Sequence, residues 1–211
     1  MTGAAERARP RVVLASASPR RRDLLAALGL PFEVRPVDLD ETPRPGEEPR
    51  AYVVRLAAEK AAADARPGEL VLAADTVVVL PGPDRRPELL GKPADPSEAE
   101  TMLARLAGRG HTVHTGVALL EGGGGRRAVA VDESQVEIAP LTPAEIAWYV
   151  ATGEPLDKAG SYAIQGIGAL FVERVSGNYT NVVGLPLPTV RRLFATLGHD
   201  LRDFLPSPER R

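Results

Sequence analysis

Asp75 is the residue that packing alone explains least well. It interrupts the apolar run Leu70-Val71-Leu72-Ala73-Ala74 before Thr76 and Val77-Val78-Val79-Leu80. Burying an unpaired carboxylate costs on the order of several kcal/mol, so Asp75 calls for a cation, a metal ion or a proton-transfer duty. A second chemical stretch lies near the start, Ser16-Ala17-Ser18-Pro19-Arg20-Arg21-Arg22. Ser18 suits a helix N-cap and Pro19 the first helical position. Cations in a first helical turn oppose the macrodipole, whereas an anion there is favoured. Ser16, Arg20 and Arg21 therefore suit a phosphate cradle, and taken alone they suit solvated surface charges equally well. Lys60, Lys92 and Lys158 are further candidates for phosphate. Glu41, Asp75 and Asp157 could hold a divalent cation or act as a base. Lysine, arginine and a carboxylate-bound metal are the parts phosphoryl transfer requires. There is no cysteine and no serine–histidine pairing, so direct attack by water is expected, not a covalent intermediate.

The elements that must position these groups follow from the patterning. The apolar stretch Val12–Ala15 predicts a buried strand running into a helix, which Gly29 and Leu30-Pro31 end. Phe32–Pro36 predicts a short strand and residues 38–49 an acidic, proline-rich loop. Helical spacing over Tyr52–Ala65 places Lys60 on or near the apolar face, and Pro67-Gly68 stops that helix. Leu70–Leu80 reads as strand and Pro81–Pro87 as a hairpin loop. Ser97 is the expected cap of the next helix, with Met102, Leu103 and Leu106 facing inward. His111–Leu120 and Arg126–Ile138 predict two long strands joined at a flexible Gly122–Gly125 tip. That tip has neither the phosphate-loop pattern nor a following helix. His111 and His114 fall on opposite faces of a strand and so make no metal site. Thr142-Pro143-Ala144-Glu145 opens another helix with Trp148 partly exposed. The polar, glycine-containing stretch Glu154–Gly166 suits ligand binding. Gly168–Val175 is expected as a strand, residues 176–181 as a turn, Thr189–Leu197 as the last helix, and the tail after Asp200 as loose. The order of elements predicts an α/β fold with a mixed, elongated, twisted sheet, two lobes and a central cleft. It is expected as one domain over residues 11–198, with 1–10 and 199–211 as terminal extensions.

Composition narrows the function. The chain has 211 residues, 44% of them hydrophobic, enough for one substantial core. A net charge of −2 disfavours bulk nucleic-acid binding but allows a local basic site for a small anion. No apolar stretch is long enough to span a membrane. The polar first ten residues do not resemble a secretory signal, so the cytoplasm is the expected compartment.

Six motifs occur in one order: S-x-S-P-R-R-x-x-L-L, A-x-E-K (Ala57–Lys60), A-D-T (Ala74–Thr76), G-K-P (Gly91–Pro93), D-K-A-G-x-Y-x-I-Q-G (Asp157–Gly166) and N-V-V-G-L-P-L (Asn181–Leu187). Together they resemble the Maf family of nucleoside triphosphate pyrophosphatases over roughly Val12 to Leu197. One departure is Gly177-Asn178-Tyr179, where the family more often has G-S-Y. The resemblance implies a fold like that of the inosine triphosphate pyrophosphatases (Maf/Ham1). It implies hydrolysis of a nucleoside triphosphate to the monophosphate and pyrophosphate with Mg²⁺ or Mn²⁺. By motif, Asp75 is the proton acceptor, and Ser16, Arg21, Lys60, Lys92 and Lys158 bind phosphates. Glu41, Asp75 and Asp157 are the metal candidates, Glu41 by loop position only. Arg20, Thr76 and Gln165 match the branch acting on dTTP and UTP. Gln165 and Thr76 are expected to present donors and acceptors to the O4/N3–H edge of the base. The expected partner is a nucleotide, with a homodimer allowed and with neither a nucleic-acid polymer nor a membrane. A nucleotide-binding regulator of septum formation and a house-cleaning enzyme for other nucleotides are the alternatives.

Overall fold

A seven-stranded mixed sheet organises the chain, whose computed structural model describes residues 9–82 and 86–207. The strands are β1 (Arg11–Leu14), β2 (Phe32–Val34), β3 (Glu69–Pro81), β4 (Pro87–Leu90), β5 (Gly110–Glu121), β6 (Arg127–Ile138) and β7 (Val172–Ser176). Their order is β2-β1-β3-β5-β6-β7, with β4 also paired to β3. β1 is parallel to β2 and β3, and every other pair is antiparallel. Parallel neighbours need crossovers, supplied by α1 (Pro19–Ala27) and α2 (Pro49–Ala62). The remaining helices are α3 (Pro96–Leu106), α4 (Pro143–Ala151), α5 (Tyr179–Val183) and α6 (Leu187–Thr196). The expected α/β class with a mixed sheet is what the chain adopts.

Two features of β3 create the site. Its pairing with β1 stops at Leu72 and its pairing with β4 starts at Val78, while β5 runs alongside throughout. The stretch 73–77 therefore has a strand on one side only. Side chains of Asp75 and Thr76 alternate to opposite faces, yet a ligand entering the gap can meet both. The second feature is a polar belt. On the face carrying even-numbered β3 residues, Leu70, Leu72 and Ala74 join one apolar core with α6, while Val78 and Leu80 join another with α3 and α4. Thr76, Thr115 and Ser134 lie between the two cores. On the other face α2 covers the sheet, packing Ala57 and Ala61 against Val71 and Ala73, and Leu56 against Val77 and Val79.

Several boundaries differ from expectation. α2 begins at Pro49 because that proline occupies its first turn. α3 is capped by Asp95, whose carboxylate accepts from the Glu98 amide at 2.9 Å; Pro96 takes the first helical position and displaces Ser97 inward. Pro87, expected as the end of the hairpin loop, pairs with β3 together with Glu88, Leu89 and Leu90 as β4. The hairpin tip itself falls at 83–85, outside the described residues. Gly168–Val175 divides into a 3-10 segment, Ile167–Phe171, and β7, and the expected turn at 176–181 winds into α5. The tail after Asp200 is not loose over its described length. Residues 201–204 form a 3-10 turn that buries Leu201, and Phe204 meets the Phe194 ring edge-on at 5.3 Å.

Candidate active site

A cleft of about 360 Å³ opens at the gap beside β3. Every residue singled out from the sequence lines it: Ser16, Arg20 and Arg21 from the β1–α1 junction, Glu41, Lys60, Asp75, Thr76, Lys92, Asp157, Lys158 and Gln165. Five cationic side chains face three carboxylates there, in a chain whose total charge is −2. The local excess of positive charge suits a polyanion.

Lys60 is the centre of the acidic side. It is buried near the end of α2, with its ammonium 2.7 Å from Asp75 Oδ1 and 2.5 Å from Glu41 Oε1. One cation thus offsets most of the cost of burying the Asp75 carboxylate and also meets Glu41, whose side chain stays half exposed. The approach depends on Gly116, which pairs with Asp75 across β5. A Cβ on Gly116 would lie 2.2 Å from the Val53 carbonyl oxygen of α2. The absent side chain lets the helix settle against the strand, which is the close-approach use of a strand glycine. Tyr52 adds a brace, its hydroxyl donating to the Glu41 carbonyl at 2.9 Å. Burial and the neighbouring negative charges of Asp75 and Glu41 raise the Tyr52 pKa to about 12, so the phenol stays a donor.

Arg21 is held differently. Its guanidinium donates to Gly184 O at 2.8 Å, Ser16 Oγ at 3.1 Å and Thr76 Oγ1 at 3.1 Å. Three of five N–H groups are engaged within the protein, all with uncharged acceptors. Burial lowers its pKa, opposed by the charge of Asp75. Arg21 therefore ties β1, β3 and α5 together while leaving two donors for a ligand. Arg20 turns to the opposite wall and donates to Asp157 at 3.1 Å.

That wall is the segment after α4. Lys158 Nζ donates to Asp157 Oδ1 at 2.5 Å and to Glu154 O at 2.6 Å. Burial pushes the Asp157 pKa up, but the Lys158 hydrogen bond and the charge of Arg20 outweigh it, and the net shift is downward. The Glu154 carboxylate accepts from Tyr149 OH at 2.6 Å and from the Ile167 and Gly168 amides at 2.9 and 2.8 Å. It thereby pins the loop that carries the exposed Gln165. Lys92 stands on the loop after β4 and forms no ion pair among the described residues.

Asp157 is occupied by Arg20 and Lys158, whereas Glu41 and Asp75 meet on Lys60. The three expected metal carboxylates are thus not brought to one point, and among the described residues no group of three acidic or histidine side chains could hold a metal ion. Sequence reasoning gave no individual role to Tyr52, Gly116, Thr115, Asn181 or Glu154. The available signals were the glycine isolated within a strand pattern and the place of Glu154 and Asn181 inside motif stretches; Thr115 acts through Asn181, 66 positions away.

A model of the Maf-like protein family matches residues 11–197. The dTTP/UTP pyrophosphatase of Anaeromyxobacter sp. (strain Fw109-5) is 56% identical over 90% of this chain and 91% of that one. The protein of the same name from Syntrophus aciditrophicus (strain SB) is 49% identical over 89% and 90%. Among solved structures, the Staphylococcus aureus Ham1 protein aligns with 61% of this chain and 72% of its own, at 16% identity and a TM-score of 0.39. No helix among the described residues is long and apolar enough to cross a membrane.

Proposed function

The chain belongs to the Maf-like protein family, and from that membership we propose the reaction named for the relatives above: it hydrolyses dTTP and UTP to the monophosphate and pyrophosphate. The observation that carries the reading is the meeting, in one cleft, of five cations, a buried carboxylate beside a lysine, and the Thr76–Gln165 pair.

In this proposal Arg21, Lys92 and Lys158 receive the triphosphate, with Ser16 and Lys60 beside them. Asp75 Oδ1 is engaged by Lys60, and Oδ2 makes no hydrogen bond within the described residues, so Oδ2 is the atom that holds the attacking water. The water oxygen bonds to the α-phosphorus, its proton passes to the Asp75 carboxylate, and the anhydride bond to the β-phosphate breaks. The bridging oxygen leaves with pyrophosphate. Glu41 and Asp75, both in contact with the Lys60 ammonium, offer only hard oxygen donors, which together with substrate phosphates would suit Mg²⁺ or Mn²⁺. Such ions are commonly held by one or two carboxylates together with substrate phosphates. Once bound, the ion would neutralise phosphate charge and polarise a phosphoryl oxygen. Arg20, Thr76 and Gln165 meet the base. The reading places the enzyme with its soluble nucleotide substrates, in the cytoplasm.

The test is a panel of dTTP, UTP, CTP, 7-methyl-GTP and ITP at equal concentration with Mg²⁺ or Mn²⁺, followed by pyrophosphate release. dTTP and UTP are expected to lead. Preference for 7-methyl-GTP or ITP would overturn the assignment of the base-reading residues, and nucleotide binding without pyrophosphate release would favour a regulatory protein.

A further inference from the structure

Thr76 and Thr115 are cross-strand partners on β3 and β5, with hydroxyl oxygens 2.9 Å apart. Either could donate to the other in principle, but their remaining contacts decide the direction. Thr115 is completely buried, and its hydroxyl lies 3.1 Å from the Asn181 carbonyl oxygen, which can only accept. A hydroxyl has one hydrogen. The Thr115 hydrogen is therefore committed to Asn181, and Thr115 must accept from Thr76. At the same time Arg21, always a donor, points an N–H at Thr76 Oγ1. The chain of donation runs in one direction: Arg21 to Thr76 to Thr115 to the Asn181 carbonyl.

The far end of this relay is anchored. Asn181 is buried on α5 and donates through Nδ2 to the Val113 carbonyl at 3.0 Å and to Ser134 Oγ at 2.9 Å. Its carbonyl also accepts from the Gly184 amide at 2.9 Å. Nothing in this arrangement lets the Thr115 hydroxyl rotate without losing a bond in a desolvated place.

The consequence falls on the cleft. With one lone pair taken by Arg21 and its hydrogen given to Thr115, the Thr76 hydroxyl retains a single acceptor lone pair. It does not present both a donor and an acceptor, as its residue type alone would allow. We infer that Thr115, which does not itself line the cleft, is a specificity-positioning residue. By fixing Thr76 as an acceptor, it favours pyrimidines carrying a hydrogen at N3, uracil and thymine, over cytosine, whose N3 is itself an acceptor. This rests on the reading above in which Thr76 meets the base, and on its facing N3: an acceptor at the 4-position would instead suit the cytosine amino group, so a CTP-to-UTP ratio that falls in Thr115→Val overturns the inference. A site whose polar groups have one fixed polarity rejects the mismatched analogue more strongly than an adaptable one, because the mismatch leaves groups unpaired.

The experiment compares kcat/KM for UTP and CTP in the wild-type protein and in Thr115→Val and Thr115→Ser. Valine keeps the volume but removes the acceptor, freeing the Thr76 hydroxyl to rotate and donate; the Asn181 carbonyl keeps its Gly184 bond. The CTP-to-UTP ratio is expected to rise about three- to tenfold in Thr115→Val, the scale of one hydrogen bond, and to stay near the wild-type value in Thr115→Ser, which preserves the relay. A purely structural role would lower both activities together and leave the ratio unchanged; that result in a folded variant overturns the inference. If Thr115→Val does not fold, Thr115→Ala carries the same comparison. A wild-type protein that does not prefer UTP to CTP overturns the base-reading assignment itself. A wild-type preference that survives loss of the Thr115 hydroxyl removes the relay alone.

Discussion

Substituting Asp75 by asparagine separates its chemical duty from its structural one. Asp75 shares the Lys60 ammonium with Glu41, at 2.7 and 2.5 Å. In Asp75→Asn the amide oxygen can still accept from Lys60, and Glu41 still neutralises it, so no charge is stranded. The expected destabilisation is about 1 kcal/mol, the scale of one weakened hydrogen bond. Turnover is a different matter, because an amide does not accept a proton from water. Loss of a general base typically removes about 10²- to 10⁴-fold, or roughly 3 to 5 kcal/mol of barrier. Lys60→Met reverses the pattern. It leaves two carboxylates without their shared cation, and breaking a buried pair in this way costs about 3–5 kcal/mol. Urea denaturation gives the stability of both variants, pyrophosphate release from UTP gives turnover, and nucleotide titration shows that Asp75→Asn still binds. Turnover of Asp75→Asn within about tenfold of wild type would remove Asp75 as the base. Equal destabilisation by the two substitutions would show that the shared-cation arrangement does not hold.

His111 predicts an acid-sensitive fold. It is fully buried with Nε2 2.7 Å from Tyr162 OH, and burial lowers its pKa to about 4. An unfolded histidine takes up a proton near pH 6.5 while the folded one does not, so this contribution is present above 6.5 and falls as the pH drops towards 4. The loss amounts to about 3 kcal/mol at pH 4; urea midpoints across that range should fall more steeply in wild type than in His111→Phe, and equal slopes would count against a buried neutral imidazole. Gly116→Ala should push α2 away from β5, because its Cβ would meet Val53 O at 2.2 Å. Overpacking of this kind costs about 1–3 kcal/mol, and UTP turnover should fall with the displaced Lys60; a fully active, fully stable variant would refute the close-approach argument. Glu154→Ala removes the acceptor of Tyr149 OH and two loop amides. It should raise KM for UTP more than it lowers kcat if Gln165 acts in base binding, and an unchanged KM would separate that loop from the base.

Local chemistry made much of this legible in advance. Thr142 and Glu145 form the capping box their spacing implies, and Pro143 takes the first turn. The apolar run broken by Asp75 is one continuous strand, and the carboxylate has the cation it required. Competing caps were harder to separate. Asp95 and Ser97 are both good N-cap residues, and the position of Pro96 between them decides in favour of Asp95. β4 and α5, of four and five residues, are shorter than a full amphipathic period. They exist because neighbours hold them: β3 in one case, and in the other the Ser134 hydroxyl accepting from the Asn178 amide at 3.0 Å just before α5.

Motifs convey which residues meet a ligand but not which way their hydrogens point. Ser16, Arg21, Thr76 and Gln165 are all recognisable from their local sequence, and as residue types each could take part in several hydrogen-bond patterns. The selection among those patterns is made elsewhere. Arg21 is oriented by a backbone carbonyl 163 positions away, and the direction of the Thr76 hydroxyl is set by Thr115 and, through it, by the carbonyl of Asn181. None of these constraints has a sequence period, because each arises from the register of β3 against β5 and from the seat of α5 on the polar belt. Relatives that keep Thr76 but replace the β5 threonine with a residue lacking an acceptor should therefore tolerate cytosine nucleotides more readily than this chain does.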